Sequence, residues 1–129
     1  MKKILKLVVL FLLLQSFQCE KPIVEKSRNS YITDLRNDKQ AILDYVASFP
    51  CDTATGCSFI AFGSKPCGGP WEYLAYSNAV DESHLTEMVN SYNELEHSYN
   101  IEFEIFSDCA VVNPPQQVDC INGICTIIN

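Results

Sequence analysis

Seven cysteines are the residues of this 129-residue chain with the most distinctive chemistry. A thiolate can attack, bind metal or pair with another sulfur, and its neighbours decide which. A thioredoxin-type redox site needs two cysteines separated by two residues, and no pair here has that spacing. Cys67-Gly68-Gly69-Pro70-Trp71 has the flavour of such a site but lacks the second cysteine. Cysteine-protease chemistry needs a free thiolate with a histidine beside it. His84 and His97, the only histidines, stand thirteen residues apart on one expected helix. At about 100° per residue they point in very different directions. A dedicated zinc site fails for the same reason, and the cysteines lack paired-ligand spacing. Gly63-Ser64-Lys65 is not a phosphate loop, and the acidic residues form no calcium-loop pattern. Nothing selects a pair of carboxylates for acid–base work, so the sequence points to no catalytic residue, cofactor or metal.

Cystine is the chemistry that remains. Setting Cys19 aside leaves Cys51, Cys57, Cys67, Cys109, Cys120 and Cys125. An even number in a small exported domain reads as three disulfides made in an oxidising compartment. Cys120 and Cys125 flank Asn122-Gly123, a strong hairpin-turn signal. A two-residue turn sets Ile121 opposite Ile124, Cys120 opposite Cys125 and Val118 opposite Ile127. The close Cα spacing of a non-hydrogen-bonded pair suits a Cys120–Cys125 bond. Cys51–Cys57 and Cys67–Cys109 complete the expected set.

The address is written at the start of the chain. Lys2, Lys3 and Lys6 precede an apolar run at residues 7–14, too short to span a bilayer but suited to a signal peptide. The exit from this signal has two readings. Cys19 stands where a bacterial lipoprotein carries its lipid, whereas cleavage between residues 16 and 19 would release a free secreted chain. The expected organisation is a signal at 1–18, a flexible tether at 19–33 and one disulfide-rich domain at 34–129, with lipidation at Cys19. Membrane contact is then through that lipid alone.

Beyond Cys19 the chain carries 16 acidic and six basic residues, a formal net charge of −10 with histidine neutral. From Pro66 onward there are ten acidic residues and no lysine or arginine. Such a surface repels phosphate backbones, which excludes nucleic acid as a partner, and it suits a cationic one.

The elements that must position these residues can be read from periodicity. Leu35, Ile42, Val46 and Phe49, joined by Leu43 and Tyr45, recur at helical spacing until Pro50. Asn37 and Gln40 form a capping box if this helix starts late. Residues 57–62 and 71–76 are apolar and aromatic, as strands are, with Trp71 and Tyr73 on one face. Leu85, Met88, Val89, Tyr92, Leu95 and Tyr99 form the stripe of a second helix, with Asp81 as N-cap and Val80 stapling to Leu85. Glu94 and Glu96 read as its solvated face. Ile101, Phe103 and Ile105 alternate with Glu102 and Glu104, the pattern of a half-buried strand. The expected fold is α+β: two amphipathic helices on one face of a small antiparallel sheet of four or five strands, stapled by disulfides and closed by a C-terminal hairpin.

One stretch joins the expected strands. Residues 62–71 hold three of the five glycines, two of the six prolines and the only tryptophan. Prolines remove backbone donors and glycines cost entropy in regular structure, so this is a tight loop ending at an aromatic anchor. A pinned loop loses little entropy on binding. Lys65, Trp71 and Tyr73 are therefore the candidate contact residues of a non-enzymatic binding module. Two alternatives stand beside it: a protease inhibitor presenting the 63–70 loop, and a small hydrolase using carboxylates gathered by folding. Lys65 is followed by Pro66, which weakens a trypsin-directed inhibitor.

The run Lys65-Pro66-Cys67-Gly68-Gly69-Pro70-Trp71-Glu72-Tyr73-Leu74, with Asp108-Cys109, Pro114-Pro115 and Cys120-Ile121-Asn122-Gly123-Ile124-Cys125, resembles a family of small exported six-cysteine bacterial proteins of unknown function. The signal followed by Cys19 is similar to lipoproteins of the Bacteroidetes type. The resemblance implies an address and a scaffold, and it assigns no active-site residues; the expected partner is an unidentified protein or other envelope component.

Overall fold

The computed structural model describes residues 26–128. The signal peptide, Cys19 and the first part of the expected tether lie outside the described residues. Helix α1 spans Arg28–Ala47, strands β1 and β2 Cys57–Phe62 and Glu72–Ser77, helix α2 Glu82–Glu102, and strands β3 and β4 Gln117–Ile121 and Ile124–Ile128. The fold is α+β, with two helices and two small antiparallel sheets, β1–β2 and β3–β4. Two separate ribbons thus replace the single sheet of four or five strands.

Helix α1 starts earlier than its apolar stripe suggests. Ser27 is extended, and its hydroxyl accepts the Ser30 N–H at 3.2 Å, so it takes the N-cap role expected near Asn37. The first turns are worth forming because Tyr31 is buried against Tyr99 and Phe103 of the α2 end, at 5.9 and 5.7 Å between ring centroids. Residues 28–33 are therefore helix rather than tether. Asp81 caps α2 as expected, accepting from Ser83 and His84.

The core lies where both helices meet one face of β1–β2. Ile42 of α1 and Leu85, Val89 and Tyr92 of α2 join Phe62, Tyr76 and Val80 there, with Ile60 and Leu74 partly buried beside them. Strand alternation sends Phe59 and Tyr73 to the opposite face, where their rings meet edge-on at 5.6 Å.

The expected strand at 101–105 is not formed, because α2 runs through it to Glu102. Phe103 packs on Tyr99 at 5.2 Å as well as on Tyr31, and Asn100 is buried. The helical positions are thus the ones that bury surface, and Ile101 is left 66% exposed. The helix closes with Glu104 N–H on Ile101 C=O and Ile105 N–H on Asn100 C=O, the paired bonds of a Schellman end. Glu104 takes the left-handed conformation there, at φ +49°.

The C-terminal hairpin has the expected register, with Cys120 opposite Cys125 and Ile121 opposite Ile124. Asn122 and Gly123 both have positive φ, as its two-residue turn requires. The disulfides use this register differently. Cys51 bonds Cys120 and Cys57 bonds Cys125, so the expected Cys120–Cys125 and Cys51–Cys57 bonds are both replaced. The reason is tertiary. The Cys51 N–H donates to Gly123 C=O at 3.1 Å, which lays the segment after α1 along the hairpin turn. Each hairpin sulfur then meets a partner from the first half of the chain. Cys67 bonds Cys109.

Candidate functional site

Phe62 ends β1 stacked on Tyr92 of α2, with 4.6 Å between ring centroids. The chain then turns at Gly63, φ +86°, where a Cβ would stand 2.7 Å from Trp71 Cδ1. Both the conformation and the space require glycine at this position. Helix α2 grips the turn through three side chains. Asn93 Oδ1 accepts the Gly63 N–H at 2.8 Å, Glu96 Oε2 accepts the Ser64 N–H at 2.5 Å, and Asn100 Nδ2 donates to Ser64 C=O at 2.7 Å. Spacings of three and four residues put these side chains on one helical face, one above another. The sequence reading missed all three. Glu96 belongs to this face and not to the solvated one. Burial pushes its carboxyl pKa above the usual carboxylate range, against the Ser64 N–H, Lys39 and Trp71, which lower it.

The crown of the loop is closed by its own backbone, with Gly68 N–H on Lys65 C=O and Lys65 N–H on Gly69 C=O, both at 2.9 Å. Open space surrounds Gly68 and Gly69. The Cys67–Cys109 bond ties this crown to the segment beyond α2.

Two of the three expected contact residues are redirected by this packing. Lys65 is only 6% exposed. Its ammonium donates to Ala110 C=O at 2.8 Å and to Asp108 at 3.3 Å, and it lies 5.1 Å from the Trp71 ring centre. It is an inward pin, which removes it as a contact residue and as the basic residue of a trypsin-directed inhibitor. Trp71 precedes the ladder of β2, and its indole lies against Gly63. It lines a cavity of about 180 Å³ with Lys39, Phe62, Glu72, Tyr92 and Glu96. Tyr73 sits with Phe59 on the other sheet face, so Trp71 and Tyr73 do not share a rim. The two carboxylates of that cavity are engaged, Glu96 with Ser64 and Glu72 with Lys39 at 2.7 Å.

The surface that the pinned loop presents lies on its far side. Phe106 and Val111 are 90% and 83% exposed, the most exposed large apolar side chains among the described residues. Pro66 of the crown, Ile101, Ile105 and Phe106 line a depression of about 410 Å³ shared with His97, Asn100 and Glu104. Glu104 is exposed, and it is the one carboxylate among the residues that line this depression. A larger groove of about 550 Å³ separates Leu43 and Val46 of α1, with Phe49 just beyond it, from Ile124 and Ile127 of β4, and no charged side chain lines it.

Comparison with protein-family models, with curated proteins and with solved structures found no match to this chain. Three disulfides mark a chain of an oxidising, extracytoplasmic compartment. Among the described residues no helix is long and apolar enough to cross a membrane.

Proposed function

We propose that this chain is a lipid-anchored, non-enzymatic binding module of the cell envelope, held by a diacylglyceryl group at Cys19. Its contact surface is the apolar depression of Ile101, Ile105 and Phe106 beside Pro66 of the crown. The observation that carries this reading is the exposure of Phe106, 90%, on a segment fixed by the Cys67–Cys109 bond and by the Lys65 pin. Exposed apolar groups gathered on one patch mark interaction sites, and a pre-ordered patch loses little entropy on docking. Glu104 at its edge, on a chain with ten acidic residues and no lysine or arginine after Lys65, favours a protein partner that presents apolar side chains flanked by lysine or arginine. The alternatives fare less well, because the loop's lysine is buried and the gathered carboxylates are occupied.

The test is photo-crosslinking in cells that produce the protein, with a photoreactive residue at position 106 or, as a control on the outer face of α2, at position 87. The reading predicts one discrete protein adduct from position 106, weakened by high salt and by Ile101→Ser and absent from position 87. Matching adducts from both positions, or none from 106, would remove this surface. Detergent-phase partitioning tests the anchor separately: a Cys19→Ser chain should move to the aqueous phase.

A further inference from the structure

We infer that the cavity between Trp71 and the Phe62–Tyr92 stack binds a trimethylammonium group, of the kind that choline and its derivatives carry. Three aromatic side chains line this space of about 180 Å³: Phe62 and Tyr92, stacked at 4.6 Å between ring centroids, and Trp71. Glu72 and Glu96 supply negative charge to the same walls. A cation is drawn to the negative faces of aromatic rings, most of all to tryptophan, and the attraction grows where water is displaced. Phe62 and Tyr92 are both buried, so two of the three rings stand away from bulk water.

The molecule already displays this chemistry with a cation of its own. Lys39 Nζ stands 5.3 Å from the Phe62 ring centre and 2.7 Å from Glu72 Oε1. One lysine against two glutamates leaves the lining with a net charge of −1, which one further monocation neutralises. Asp38 adds to the negative field at Tyr92. Lys65, 5.1 Å from the Trp71 ring centre, does not offset that field, because its charge is met by Asp108.

The type of cation follows from the acceptors. A primary ammonium brings three N–H donors that all need partners. Here Glu72 Oε1 already accepts from Lys39, and Glu96 Oε2 from the Ser64 amide. A quaternary ammonium asks for no acceptor, and its methyl groups carry the positive charge against the rings. Size points the same way. Drug-sized ligands occupy about 300–1,000 Å³, whereas this cavity admits only a head group. It shares no lining residue with the depression at Phe106, so the two sites stand or fall independently.

Trp71 is the only tryptophan, and its fluorescence therefore reports on the cavity directly. Choline chloride titrated into the purified chain should change that emission saturably, with sodium chloride as the ionic-strength control. The carbon analogue of choline, with a neutral tert-butyl group in place of trimethylammonium, should bind at least about 10-fold more weakly. Calorimetry should find one choline per chain. Lys39→Gln makes the lining more negative and should tighten binding, whereas Glu72→Gln makes it neutral and should weaken it, each by about 2- to 5-fold. Both side chains are partly exposed, so these variants keep the fold. Vesicles of phosphatidylcholine, compared with those of phosphatidylglycerol, identify the source. A response to choline alone assigns a free solute, and a response to the phosphatidylcholine vesicles as well assigns a lipid head group. No heat or emission change at millimolar choline, an equal response to the neutral analogue, or a Lys39→Gln chain that binds no better would overturn the site.

Discussion

Glu96 is a carboxylate spent on holding a backbone amide, and its surroundings give it a measurable signature. Burial raises its pKa in the folded chain. A raised value means that its contribution to stability is fully present below the ordinary carboxylate pKa and is lost as pH rises through the folded one. Stability of the wild type relative to Glu96→Gln should therefore fall as pH is raised above the ordinary glutamate pKa of about 4.3. Parallel stability curves for the two proteins would contradict the assignment. Tyr92 behaves likewise at the alkaline end. Burial, with Glu96 next in weight, pushes its pKa from 10.0 up to about 12. Stability tied to its neutral phenol is present below the ordinary pKa and lost as pH rises toward the folded value. Tyr92→Phe should flatten the alkaline limb of a thermal-unfolding series, and an unchanged limb would place the phenol in water.

At the scale of elements, α2 is both a core helix and the clamp of the loop. Asn100 is buried, and its amide holds Ser64 C=O. Asn100→Ala leaves that carbonyl without its partner and should cost about 1–3 kcal/mol in urea unfolding. At the end of the same helix, Glu104 holds a conformation that glycine adopts freely. Glu104→Gly should raise stability by about 1 kcal/mol, and a loss would contradict the Schellman end. These elements were legible to different degrees. The stripe from Leu85 to Tyr99, the Asp81 cap and the Asn122-Gly123 register depend on local residues, and they read directly from the sequence. The start of α1 was hidden because Tyr31 owes its burial to Tyr99 and Phe103, nearly seventy residues on. The alternation Ile101, Phe103, Ile105 imitated a strand because Phe103 and Asn100 find their partners only in the folded chain. The loop clamp was hidden for the same reason. Asn93, Glu96 and Asn100 look like surface residues until the loop lies over them, and Lys65 looks exposed until Asp108 and Ala110 reach it.

The whole molecule is strapped by bonds between distant parts of its chain. The C-terminal hairpin is joined to the start of the β1–β2 unit, and the segment after α2 is joined to the loop crown. The first cross-link to close a loop of 69 or 68 residues constrains the unfolded chain by about 4 kcal/mol, against about 2 kcal/mol for a bond between near neighbours such as Cys51 and Cys57. Replacing Cys51 and Cys120 together by serine should lower stability by about 2–5 kcal/mol, read as a fall in unfolding midpoint. The same straps hold the contact surface, since Phe106 lies on the segment that Cys109 fixes. Disulfide mapping under non-reducing conditions therefore tests the account most directly. Cleavage before Asp52, Asp108 and Asp119, at the aromatic residues between Cys57 and Cys67, and by hydroxylamine at Asn122-Gly123 separates all six cysteines. The account predicts the Cys51 fragment linked to that of Cys120, Cys57 to Cys125 and Cys67 to Cys109. A Cys120 fragment linked to that of Cys125, or Cys67 linked to any partner but Cys109, would contradict it.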